Sequence, residues 1–145
     1  MTWKNIPIPE TIVIPLAFGV IIEKFYSRQL FPSNIFWFVL ALMLLIFGLT
    51  LMIWSVREAG KLDMVAPDTL ITSGPYSFSR NPMYVCWISI YLSIFFLTRT
   101  LWLFLMFFVA ILLTHYAAVL REERSLRQKF GDRFEEYCRR VRRYI

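Results

Sequence analysis

A chain of 145 residues is one domain's length, and a composition 58% hydrophobic but only 18% charged cannot be hidden inside a soluble domain of that size. The net charge of +6 would suit a nucleic-acid partner, yet the charges avoid long apolar stretches, so anionic lipid head groups are the partner they imply and nucleic acid is set aside. Two cysteines far apart and a single histidine leave too few ligands for a zinc site and no expected disulfide, so no metal is expected.

The first apolar segment runs over about 6–26, with Glu10 near one end, Glu23 and Lys24 at the other, and Pro15 inside it, where a helix should bend or open. It lacks a small-residue cleavage pattern and reads as a retained span rather than a signal peptide. The second, over 35–56, has no charge in its 22 residues. The third covers about 82–98, slightly short for a full crossing. The fourth covers 101–120, where His115 and Tyr116 are the only ionisable side chains. A helix of about 20 residues spans the roughly 30 Å hydrocarbon core of a bilayer, and backbone at that depth must satisfy itself. Only Arg99 and Thr100 separate the last two runs, which predicts a tight helical hairpin.

The expected fold is all-α: an integral membrane bundle of about four transmembrane helices plus a cytoplasmic amphipathic helix in the tail, 121–145, all in one domain. Four spans put both termini on one side. Thirteen of the sixteen lysines and arginines then fall on that side and three (Lys24, Arg28 and Arg99) on the other, which makes the terminal side cytoplasmic. Trp37 and Trp102 would mark the outer interface, and Trp3, Trp54 and Trp87 the inner one.

Polar residues collect at two places on the cytoplasmic side. One is the turn and helix start Gly74-Pro75-Tyr76 through Arg80-Asn81-Pro82-Met83-Tyr84. Pro82 suits a first helical turn, and Arg80 and Asn81 lie where unpaired backbone N–H groups favour an anion. Either the pair serves a ligand, or Arg80 reaches lipid phosphates while Asn81 caps the helix. The other is Arg121-Glu122-Glu123-Arg124. Adjacent helical residues point about 100° apart, so one of the two acids should turn toward the bundle. His115 lies seven residues before Glu122, two turns away on the same face, and is either a packing residue or a catalytic one. In the tail, Leu126, Phe130, Phe134, Tyr137 and Val141 form one apolar stripe, and Gly131 followed by Asp132 and Glu135 predicts a helix stop and a restart with a capping box. The tail should fold back over Arg80.

These residues, in this order, resemble the isoprenylcysteine carboxyl methyltransferase and phospholipid methyltransferase family: Gly74-Pro75-Tyr76, Arg80-Asn81-Pro82-Met83-Tyr84, a membrane hairpin, Glu122-Glu123, then Phe130-Gly131 and Tyr137. The likeness covers roughly 57–145, and the first two spans look like those of short bacterial members. Asn81 stands where the family has histidine, Cys86 where a glycine is common, and Val141-Arg142-Arg143 where Val-Pro-Arg is usual. The resemblance implies a membrane methyltransferase using S-adenosylmethionine on a lipid-tailed or hydrophobic acceptor, such as an isoprenylcysteine carboxylate, in a bacterial or archaeal cytoplasmic membrane. A phospholipid amine is the alternative acceptor. It further implies cofactor contacts from Gly74, Pro75, Tyr76, Arg80, Asn81, Pro82, Tyr84, His115, Glu122 and Glu123. Arg80 would meet the carboxylate, a glutamate the amine or ribose, and the tyrosines the adenine, methionine chain or sulfonium. Arg80, Glu122 and His115 carry the catalytic expectation, His115 or a glutamate serving as base for an acceptor that must lose a proton. Two rivals are a sterol-type membrane reductase using nicotinamide and a non-enzymatic membrane protein with a lipid-binding basic tail.

Overall fold

A computed structural model describes residues 9–60 and 69–144. Within these, the chain is helical apart from short connections and two isolated β-bridges. Helix α1 is Glu10–Phe25, α2 Ile35–Ala59, α3 Pro82–Thr98 and α4 Leu101–Leu113. A π-helical turn, Thr114–Val119, continues α4 into α5, Leu120–Phe130, and α6 is Asp132–Arg140.

Among the described residues, two helices are long and apolar enough to cross a bilayer: α2, and the 30-residue helix Leu101–Phe130 that joins α4 and α5 through the π-turn. Helix α3 is apolar but has 17 residues, and α1 has 16, so on length alone the four expected spans reduce to two. Residues 6–8 of the first expected span lie outside the described residues. Helix α1 runs unbroken through Pro15, which is buried.

The main packing pairs are α2 with α3 and α1 with α4. Helix α2 turns Ala41, Gly48, Leu51, Ser55 and Ala59 inward, a mostly small-residue stripe that lets the backbone of α3 come close. Its other face presents Ile35, Phe36, Leu42, Met43 and Ile46 outward, as a lipid-facing surface does. A Cβ on Gly48 would lie 3.0 Å from both the Cys86 carbonyl and Ile90. Gly48→Leu should therefore force α2 off α3 and cost about 1–3 kcal/mol, read as a lower midpoint of reversible unfolding in mixed micelles, with Gly48→Ala costing less.

At the Arg99 end of the bundle, Arg99 takes the left-handed conformation (φ 59°) and Thr100 caps α4 by accepting from the Leu103 N–H, which closes the predicted hairpin. Trp37 stacks on Phe96 there, and the Trp102 indole donates to the Tyr26 carbonyl. The core below joins Ile12, Tyr91, Phe95, Leu103 and Ala110, and the Tyr91 hydroxyl donates to the Leu103 carbonyl at 3.1 Å.

At the Arg80 end, Gly74 (φ 59°) starts a single 3-10 turn, Gly74–Ser77, packed under Trp54 and Glu58. The tail reverses at Gly131, whose φ of 49° ends α5. The capping box is not formed. Asp132 is already the first helical residue of α6, the N-cap is Gly131, and Glu135 pairs with Arg127 instead. Helix α6 folds back as expected, burying Phe134, Tyr137 and Val141 against Leu70, Leu126 and Phe130.

Candidate functional site

The site is assembled where α3 begins. Pro82 occupies the first turn of α3, and the carbonyl of Asn81 accepts from the Tyr84 and Val85 N–H groups at 3.2 and 3.3 Å. The Asn81 side chain does not cap the helix; its amide donates to the Arg143 carbonyl at 3.1 Å. The chain after α6 runs beside this start. The Arg80 N–H donates to the Arg142 carbonyl at 2.9 Å, and Ser79 and Arg142 form a parallel β-bridge. The tail thus pins the 79–81 segment by backbone as well as covering it.

Of the two adjacent acids, Glu123 turns inward and is buried, while Glu122 faces a cavity. Both Glu123 oxygens are held by Arg143, Nε to Oε1 at 2.9 Å and Nη2 to Oε2 at 2.8 Å, and Arg80 Nη1 approaches Oε1 at 3.4 Å. Burial alone would push the Glu123 carboxyl up, but the Arg143 hydrogen bonds, the Arg80 and Arg143 charges and Asn81 outweigh it and hold the group below the usual carboxylate range. Arg80 also donates to the Cys138 sulfur, and its Nε has no hydrogen-bond partner among the described residues.

Glu122 behaves oppositely. Burial among protein atoms, with a smaller push from Glu123, raises its carboxyl above the ordinary value, although the Tyr84 hydroxyl donates to it at 3.2 Å. Glu122 is nonetheless accessible, because the surface it presents is the wall of a cavity. Tyr76 and Tyr137 are kept neutral by burial well beyond the normal phenol range, and the Tyr137 hydroxyl donates to the Tyr76 carbonyl at 2.6 Å.

Two cavities meet at Tyr76, Arg80 and Glu122, which line both. The larger, about 290 Å³, extends along the start of α3 past Met83, Tyr84 and Trp87 to Pro9. The smaller, about 100 Å³, lies under the tail against Leu70, Ile71, Leu126, Phe130 and Tyr137. Small-molecule sites usually start at roughly 300 Å³, so together they suit a ligand of nucleoside size. Residues 61–68 of the loop before the 3-10 turn Gly74–Ser77 lie outside the described residues; Thr69, Leu70 and Ile71, which follow them, line the smaller cavity.

The chain matches the phospholipid methyltransferase family over residues 36–133, well over half its length. It belongs to that family. The chain is also similar to the cobalt-zinc-cadmium resistance protein CzcN of Cupriavidus metallidurans, with 38% identity over 74 residues, which is 51% of this chain and 34% of that relative. The match thus spans about a third of the relative's length. No solved structure matches the chain.

Among the residues singled out in the sequence, the structure brings Tyr76, Arg80, Asn81, Pro82, Tyr84 and Glu122 to the cavity walls. Glu123 stands behind Arg80 rather than in the wall, and Gly74 and Pro75 shape the turn that carries Tyr76. His115 does not line either cavity. The π-turn that contains it has more residues per turn than an α-helix, so seven residues no longer complete two turns to Glu122. Its Nδ1 lies 2.8 Å from the Tyr144 hydroxyl. Sequence reasoning passed over Arg143, Tyr144 and Cys138, all of which contact the singled-out residues. The match of Val141-Arg142-Arg143 to the family's Val-Pro-Arg was a signal for Arg143.

Proposed function

We propose that this membrane methyltransferase uses S-adenosylmethionine to methylate a lipid-tailed or hydrophobic acceptor at the cytoplasmic interface. The observation that carries the reading is the meeting of Arg80, Glu122 and Tyr76 on a wall shared by two cavities. A cation with an unpartnered buried N–H, an accessible carboxylate and neutral aromatic hydroxyls match the carboxylate, the amine or ribose, and the adenine of the donor. When bound, the donor supplies an electrophilic methyl group on a sulfonium centre. The protein's own work is then alignment. Arg80 and Glu122 fix the two charged groups of the amino-acid moiety, while the tyrosines keep water from the transfer line.

The larger cavity, walled by Met83 and Trp87 of α3 and reaching Pro9 before α1, suits an acceptor arriving from the bilayer. An isoprenylcysteine-like carboxylate needs no base. An amine head group would need one, and for that acceptor Glu122, which reaches the larger cavity and has a carboxyl that burial raises above its ordinary value, serves the acceptor in place of the donor's amine. In this reading His115 anchors the tail through Tyr144. The topology that goes with it has four spans and cytoplasmic termini, α1 and α3 crossing as short helices, with lipid head groups meeting the basic tail.

Titrating the detergent-purified protein with S-adenosylmethionine, and with NADPH as the control, tests the reading. Heat from the first alone is expected, and its absence would remove the methyl-donor site. Membranes given methyl-labelled donor would then report the acceptor by the fraction that takes the label. The ionised form of Glu122 binds an ammonium, so affinity for the donor should rise as pH increases through the elevated Glu122 value and then level off. Titrations from acid to neutral pH should show this rise in the native chain and a flat profile in Glu122→Gln.

A further inference from the structure

Arg143 touches neither cavity, yet it determines what the site arginine is free to do. A guanidinium next to a carboxylate ordinarily forms a two-pronged pair, with both oxygens engaged at 2.7–2.9 Å. Arg80 does not. It reaches one Glu123 oxygen at 3.4 Å through Nη1 alone, leaves Nε without a partner, and has a side chain only 12% exposed. The two-pronged pair with Glu123 belongs instead to Arg143, brought in by the segment after α6. That segment is itself fixed by the Arg80 N–H on the Arg142 carbonyl and the Asn81 amide on the Arg143 carbonyl, so Arg143 and Arg80 are held in register.

We propose that Arg143 is a positioning residue, which occupies both oxygens of Glu123 and so keeps Arg80 from closing onto that carboxylate and available to an anionic group in the shared cavity wall. The identity of that group as the donor's carboxylate rests on the function proposed above; the competition between the two arginines does not. Without Arg143, the Glu123 carboxylate is buried with one cation beside it. Arg80 then rotates onto Glu123, and the cavity loses its cation.

Two measurements decide this. The first needs no ligand: the drop in unfolding midpoint caused by Arg80→Ala is compared in the native and Arg143→Gln backgrounds, with Arg143→Lys carrying the comparison if Arg143→Gln does not fold. A larger drop in the Arg143-substituted background is expected, because Glu123 then depends on Arg80, and equal drops overturn the proposal. The second is titration with S-adenosylhomocysteine. Arg143→Gln should weaken binding by roughly tenfold, the size of one charged hydrogen bond, and adding Glu123→Gln should restore it, since no carboxylate remains to capture Arg80. A double variant as weak as the single one overturns the proposal, because a purely structural Arg143 gives no rescue. If the native chain binds no nucleoside at all, the proposed function fails and the stability comparison alone judges Arg143.

Discussion

Glu123→Ala is expected to lower the unfolding free energy by about 3 kcal/mol, measured by reversible denaturation in mixed micelles. The carboxylate it removes is 6% exposed and answers two guanidinium groups, one 12% and the other 36% exposed. Removing one member of a buried ion pair typically costs roughly 3–5 kcal/mol, and the partial exposure of Arg143 places this case at the lower end. The same carboxylate makes part of the stability dependent on pH. Its folded-state value lies below that of the unfolded chain, so its stabilisation is complete above the ordinary carboxylate range and is lost as pH falls through the depressed value. Glu123→Gln should abolish that acid-side loss along with the stability that preceded it. A midpoint unchanged by Glu123→Ala would mean that the pairing contributes nothing.

Arg80→Ala and Glu122→Ala are expected to weaken binding of S-adenosylmethionine by about 10- to 100-fold each, the effect of removing one charged hydrogen bond of roughly 1.5–3 kcal/mol. Neither change should unfold the protein. Arg143 still holds Glu123 when Arg80 is gone, and Glu122 makes one hydrogen bond, to Tyr84, that solvent in the cavity can replace. Titration calorimetry on each variant, with thermal unfolding alongside, separates loss of binding from loss of fold. Unchanged affinity in both variants would remove the assigned site.

Much of this was legible in the residues. The charge-free run of α2 and the long apolar run after Thr100 give their helices by length and composition, and the Arg99-Thr100 break gives the hairpin. Arg80-Asn81-Pro82 marked the start of α3 because proline belongs in a first turn, and the adjacent glutamates had to diverge. The misses share a physical cause. The π-turn at Thr114–Val119 has no local code and lies where Thr114 meets Thr11, 103 residues away. The pairing of the tail with residues 79–81 uses backbone groups, which every residue type provides, so Arg142 and Arg143 looked like two more members of a basic tail. The helix restart was legible but its cap was not: glycine at positive φ ended α5 one residue before Asp132 could act.

Because the two chambers have Tyr76, Arg80 and Glu122 as a common partition, an occupant of each would meet the same three side chains. The affinities of two occupants are then linked, each altering the other by the same factor. Initial rates measured against one co-substrate at several fixed levels of the other should give intersecting double-reciprocal lines, the pattern of a ternary complex, and not the parallel lines of an enzyme that parks the transferred group on itself.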